Sequence, residues 1–192
     1  MSTTLNTVRD IIDKILENEG PDWNTEENSY RGIMPETYKE FCEDAGSCIP
    51  HPELGSHPKT VYAFYEWYLD KKAHVSELPG YFRYMHADFC VNAPAPAVKI
   101  IQGIVGAQKD GVWGSKTRQA VAKFFSENTP ESRGKDFVNK LLVKYNDERQ
   151  AYYKHISAKN SRNEKYLKGW LARCERVLKT ALHYNCCDTN SN

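Results

Sequence analysis

Glu19 stands where a carboxyl group could deliver a proton. In the stretch from Asp10 to Pro21 it follows Ile15 by four residues and Leu16 by three. It therefore continues the apolar side of a helix on which Leu5, Val8, Ile11, Ile12, Ile15 and Leu16 recur at three-and-four spacing, while Glu17 points elsewhere. Gly20 readily takes a left-handed turn and Pro21 cannot continue the hydrogen-bond ladder, so the helix stops there. A carboxyl at a helix C-terminus on the core-facing side meets the negative end of the helix dipole and is desolvated. Both oppose ionisation, and the expected rise in pKa suits a general acid at neutral pH. The same pattern also fits a carboxylate snorkelling at a helix end, because acidic residues on amphipathic helices are generally solvated.

Other groups able to do chemistry follow closely. Asp22, Glu26 and Glu27 lie in a polar, turn-rich stretch that ends at Ser29, after which Tyr30-Arg31-Gly32-Ile33 turns apolar again. This reads as a loop or short hairpin folding back over the end of the first helix. Cys48, His51 and His57 match no structural zinc spacing and have no evident fourth ligand, so no metal and no cofactor is expected. Lys109 to Thr117 contains a tight Asp-Gly and Trp-Gly turn without the spacing of a phosphate-binding loop.

The elements that must position these groups are mostly helical. A short helix is expected over Pro35 to Cys42, then a surface loop from Gly46 to Lys59. Val61, Phe64, Tyr65 and Tyr68 mark one helical face, and Leu78, Tyr81, Phe82, Met85 and Phe89 another. Tyr62, Tyr65, Trp67, Tyr68, Tyr81 and Tyr84 serve core packing in the first instance, although a tyrosine ring with its polar tip also suits a sugar groove. A proline-punctuated hinge, Asn92 to Pro96, precedes a helix carrying Val98, Ile101 and Ile104. Ser115 is expected to cap the helix bearing Ala120, Val121 and Phe124. Two long helices fill the carboxyl third. A basic segment from Lys154 to Arg162 lies between them, expected as a solvated loop and otherwise as a weak polyanion patch.

Composition narrows the function classes. The 192 residues are 40% hydrophobic and 27% charged, which describes a soluble globular protein able to bury a proper core. Lys and Arg (26) balance Asp and Glu (25), so no global field calls for nucleic acid or an anionic membrane. The first residues lack a basic and apolar leader pattern, and no stretch approaches a membrane span. Synthesis in the cytoplasm is expected, with reduced thiols unless the protein reaches an oxidising space, where Cys42 and Cys48 could close a short loop.

Five fragments in order resemble glycoside hydrolase family 108, the lysozyme-like muramidases of phages and bacteria that include endolysins. Glu19-Gly20 is similar to that family's Glu-Gly-Gly, and Ser29-Tyr30-Arg31-Gly32-Ile33 to its Thr-x-x-Gly-Ile segment. Asp88 through Val91-Asn92 to Ile101-Gln102 is similar to a family aspartate, Val-Asn and Leu-Gln helix. Asp110, Gly111, Gly114 and Thr117 meet the turn of the adjoining predicted peptidoglycan-binding domain. Arg149, Tyr153 and Gly169-Trp170-Leu171-Ala172-Arg173 meet its closing motif. Departures include Pro21 for the second glycine, Glu26-Glu27 for a Gly-Gly, and serine for threonine at Ser29.

The resemblance implies a mainly α, lysozyme-like fold, with an N-terminal catalytic helix, a loop or short hairpin, and a C-terminal helical lobe. Residues 1–92 would form the catalytic region and 93–185 the helical peptidoglycan-binding region, packed as one compact unit, with 186–192 a frayed tail. It implies cleavage of the β-1,4 bond between N-acetylmuramic acid and N-acetylglucosamine. Glu19 would be the general acid, Ser29 with Glu26 or Glu27 would position water, and Tyr30, Asp88 and Asn92 would contact substrate. A loop tip reaching across a cleft favours the wider carboxylate spacing of an inverting mechanism. The expected partner is bacterial peptidoglycan, met by a monomer at the cell wall after release through a pore such as a holin, without membrane insertion. The alternative is a non-catalytic peptidoglycan binder or a phage structural protein on the same scaffold.

Overall fold

Thr7 starts helix α1 (Val8–Asn18) with a capping box. Its hydroxyl accepts from the Asp10 N–H at 3.1 Å, and the Asp10 carboxylate accepts from the Thr7 N–H at 2.9 Å. The computed structural model describes residues 7–19, 22–26 and 28–187, with backbone alone for 185–187. Ile11, Ile12 and Ile15 are buried at the expected spacing, whereas Val8 remains 40% exposed; Leu5, Gly20 and Pro21 lie outside the described residues. The described part is mainly α, with one two-stranded sheet. It divides into two compact units, one ending at Ala73 and the other beginning at His74.

In the first unit, strands β1 (Trp23–Asn24) and β2 (Ser29–Tyr30) pair antiparallel, Trp23 opposite Tyr30 and Asn24 opposite Ser29. This is the short hairpin anticipated between α1 and the next helix. Helix α2 (Pro35–Ala45) and helix α3 (Pro58–Lys71) both begin on proline, whose missing N–H would be unpaired at a helix start anyway. The expected loop between them contains a 3₁₀ segment, His51–Ser56, that buries Leu54. Cys42 and Cys48 are joined as a disulfide with 5.3 Å between their Cα atoms. Tyr38, Phe41 and Phe64 interlock as the aromatic core between α2 and α3, with centroids 5.8–6.2 Å apart.

The second unit holds α4 (Gly80–Asn92), α5 (Pro94–Val105), α6 (Ser115–Glu127), the short α7 (Pro130–Arg133), α8 (Lys135–Lys159) and α9 (Glu164–Cys187). Every residue of α4 from Tyr84 to Cys90 is buried, so this helix needs neighbours on all sides. It finds them in α5, α8 and α9. The break in packing accordingly falls between Ala73 and His74, ahead of the boundary expected at 92/93. Two local expectations also change. The basic stretch is not a loop: α8 runs through Lys159 and only Asn160–Asn163 turns the chain. Ser115 is the first residue of α6, with Gly114 at the cap position and no capping side chain. Residues 188–192 of the expected tail lie outside the described residues, while α9 extends to Cys187.

At the centre of this unit Asp88 is fully buried between two guanidinium groups. Arg149 donates from Nη2 to Oδ2 at 2.7 Å, and Arg173 donates from Nη2 to Oδ1 at 2.8 Å and from Nε to both oxygens at 3.1 Å. Burial alone would raise the Asp88 pKa. The two guanidiniums outweigh it and hold the carboxyl below the ordinary carboxylate range. Arg149, itself 0% exposed, rests on the rings of Phe89 and Tyr153 at 5.0 and 5.7 Å.

Removing one partner of such an arrangement leaves uncompensated charge in the core. Asp88→Asn is expected to destabilise the protein at pH 7 by about 3–5 kcal/mol. A carboxyl whose folded pKa is depressed contributes stability above its unfolded pKa, about 3.9, and that contribution disappears as pH falls through the lower folded value. Urea unfolding of both proteins from pH 7 to pH 2 should show a constant gap above about pH 4 that narrows below it. A gap that instead widens with acid would refute this assignment.

Candidate functional site

Glu19 ends α1 as its C-cap, extended at φ −71° and ψ 140°, with its N–H donating to the Ile15 carbonyl at 2.9 Å. Leaving the helix this way turns the half-buried side chain towards the hairpin. Its carboxyl lies against Gly32. A Cβ added to that glycine would sit 2.5 Å from Glu19 Oε2, 3.0 Å from Cδ and 3.4 Å from the Tyr65 hydroxyl. The carboxyl thus occupies the space a side chain at residue 32 would need.

The turn that presents Gly32 is tightly specified. Arg31 (φ 47°) and Gly32 (φ 78°) both have positive φ, the sign pattern of a type I′ turn, and the Ile33 N–H donates to the Tyr30 carbonyl at 2.8 Å. Glycine takes this conformation without strain, whereas arginine must be held in it. Three contacts hold it. The Arg31 N–H donates to the Asp22 carbonyl at 2.9 Å, its Nε to Asp22 Oδ1 at 2.6 Å, and its carbonyl accepts from the Tyr65 hydroxyl at 2.6 Å. Tyr65, 1% exposed on α3, is one of the tyrosines the sequence assigned first to core packing and otherwise to a sugar groove. It is the link between α3 and the turn beneath Glu19.

Behind the turn, Trp23 packs on Tyr30 at 5.1 Å between centroids and on His51 at 5.6 Å, and His51 Nε2 donates to the Ile33 carbonyl at 2.9 Å. His57 Nδ1 lies 3.0 Å from the Glu53 carbonyl, and Cys48 is in the disulfide. These three former zinc candidates therefore serve separate structural ends.

The remaining predicted site residues have various places. Ser29 (1% exposed) and Tyr30 (6%) are enclosed in β2, so in this structure they shape the hairpin and do not line a surface. Glu26 is exposed, its N–H donating to the Asn24 side chain at 3.1 Å in a local turn; Glu27 lies outside the described residues. Asp22 is committed to Arg31. Asp88 and Asn92 belong to the other unit. Asp88, expected to contact substrate, presents no surface and spends both oxygens on arginines, so its role is structural. Asn92 is exposed and donates to the Asp88 carbonyl of its own helix at 3.0 Å.

In the second unit, Asp110 to Thr117 forms a closed knot around Gln102 of α5. The Gln102 amide nitrogen donates to Asp110 Oδ1 (2.7 Å), Thr117 Oγ1 (3.0 Å) and the Val112 carbonyl (3.1 Å), and its oxygen accepts from the Gly111 N–H (2.9 Å). Asp110 Oδ1 also accepts from the Val112 N–H at 2.8 Å; that bond, then the Gln102 amide, lowers the Asp110 pKa. Gly111 has φ 81°, and a Cβ there would come within 3.1 Å of the Ala95 carbonyl. The turn leaves Val112 63% exposed at its tip, while Trp113 folds inward, stacking on His74 at 5.3 Å and donating to Glu77 at 3.0 Å. Among the described residues no cluster of histidine, cysteine and carboxylate side chains could hold a metal ion.

The chain matches no curated protein. Among solved structures it is similar to the one described as the structure of Brucella abortus SagA. Identity is 23%, 93% of this chain and 95% of that chain are covered, and the TM-score is 0.66. At that identity the likeness establishes the fold. The part that begins near the start of α5 and ends within α9, residues 96–175, matches the family model described as a predicted peptidoglycan domain.

Proposed function

We propose that the protein is a peptidoglycan hydrolase, a muramidase of glycoside hydrolase family 108, with Glu19 as its general acid. The observation that carries this reading is the seating of the Glu19 carboxyl on the bare Cα of Gly32, at the end of a well-anchored helix. The match of residues 96–175 to a predicted peptidoglycan domain supports peptidoglycan as the partner. Glu19 protonates the glycosidic oxygen between N-acetylmuramic acid and N-acetylglucosamine as positive charge develops on the sugar ring. The β1–β2 hairpin fixes the acid's height and angle through Gly32, and Tyr65 fixes the hairpin. The chain acts on the wall after passage through a pore such as a holin; the Cys42–Cys48 disulfide agrees with an oxidising destination.

A second reading is a non-catalytic wall binder, favoured by one observation: the matched residues 96–175 all lie outside the unit that carries Glu19. Turbidity clearing of purified cell walls separates the two. The enzyme reading expects clearing by the native protein and a loss of about a hundredfold or more in Glu19→Gln, with wall binding and melting temperature retained. Clearing by Glu19→Gln at the native rate would remove Glu19 from the role, and binding without clearing by the native protein would leave the binder.

Gly32→Ala tests the seat. The methyl group meets both an unfavourable positive φ and the Glu19 carboxyl, so the variant should lose about 1–2 kcal/mol in stability and most of its clearing activity while still binding walls. Unchanged clearing by a correctly folded Gly32→Ala protein would mean that the acid needs no such support.

A further inference from the structure

The turn between α8 and α9 concentrates positive charge that the rest of the chain lacks. Residues 154–168 contain Lys154, Lys159, Arg162, Lys165 and Lys168 against the single acid Glu164, whereas the whole chain has a net charge of +1. Lys154, Lys159, Arg162, Lys165 and Lys168 are all exposed. Among the described residues, Lys154, Lys159, Arg162 and Lys168 have no carboxylate within ion-pair distance. A helical hairpin tip needs no such charge to fold.

The tip is also built. Asn160 accepts from the Arg162 N–H at 3.1 Å, and Asn163 donates to the Ile156 carbonyl at 3.2 Å, which fixes the 3₁₀ turn Ser161–Asn163. Beside it lies a shallow groove of about 420 Å³ lined by Ser161, Arg162, Asn163, Lys165 and Tyr166. The Tyr166 ring is 43% exposed, with Lys165 Nζ 4.7 Å from its centre. It is backed by Trp170 at 5.8 Å, which stacks on Tyr153 at 5.0 Å. The groove therefore offers two cations, small polar groups and an aromatic face held from behind.

We propose that this groove binds the carboxylates of peptidoglycan stem peptides, with the Tyr166 ring packing against the adjoining sugar or peptide. The proposal rests on the wall-directed reading above and adds a docking point to it. Charge decides the ligand class: free carboxylates on a neutral glycan complement a local excess of cations. An anionic phospholipid surface fits less well, because Tyr166 is the one large apolar side chain exposed at the tip and membrane attachment requires a buried apolar face.

The test measures binding to purified wall sacculi in the Glu19→Gln background, so that hydrolysis does not consume the target. Arg162→Glu with Lys165→Glu should weaken binding about tenfold and flatten its dependence on salt, with the helical circular dichroism unchanged. Sacculi whose carboxylates have been amidated with carbodiimide should weaken binding of the parent protein to the same degree. Tyr166→Ala should lower affinity without changing the salt dependence. If the parent binds sacculi and the charge-reversed protein binds equally well, the tip proposal is wrong and the wall-directed reading stands. Loss of parent binding to native sacculi would overturn both. Retained binding to amidated sacculi, or a preference for anionic phospholipid vesicles that the charge reversal abolishes, would overturn the carboxylate ligand.

Discussion

A single carboxylate with no access to water organises the larger unit. Asp88 sits on α4, Arg149 on α8 and Arg173 on α9, so the ion-pair network joins three helices that are far apart in sequence. Three charges are removed from water together, and only near-ideal geometry makes that tolerable. One guanidinium supplies a single short bond, the other engages both oxygens, and Arg149 gains two aromatic faces. Apolar residues of similar volume often stabilise a core as well or better, but a slip of register among these three helices would strand a buried charge. Among the described residues, Arg149 Nε and Nη1 are buried with no acceptor in good hydrogen-bond geometry.

The smaller unit relies on an opposite device, the absence of a side chain. Helix α1 ends at Glu19, the hairpin returns, and the two meet where Gly32 has only hydrogen to offer. A polar side chain at a helix end normally reaches solvent. Here the neighbouring turn is pulled close by Asp22 from one side and Tyr65 from the other, so the carboxyl is held against backbone. The aromatic cluster of Trp23, Tyr30 and His51 then keeps the turn from relaxing, since each ring packs on the next.

How much of this could be read from the residues differs from level to level. The α1 stripe, the hairpin and the start of α5 followed from periodicity and from glycine and proline chemistry, which are local. Glu19 was legible for the same reason: spacing placed it on the core side of a helix about to stop. Gly32 was visible only as part of a motif, because its meaning depends on which side chain lies across from it. Tyr65 could not be distinguished from neighbouring tyrosines, since its hydrogen bond to Arg31 spans 34 residues. Asp88 departs from expectation for a related reason. The family resemblance set it among the substrate contacts, and the arginines that enclose it lie 61 and 85 residues away. The basic stretch from Lys154 reads as a loop because a run of polar residues hides the helix that tertiary packing sustains.

The Gln102 knot is closed by contacts far more local than those around Asp88. Its hydrogen bonds to Asp110, Gly111, Val112 and Thr117 span 8 to 15 residues. Closing loops of that size costs little conformational entropy compared with bringing Arg149 or Arg173 to Asp88. The knot needs only α5, the turn after it and the start of α6, so its hydrogen bonds are all met within one stretch of chain. Because its amide satisfies several partners at once, it gives that segment a definite shape.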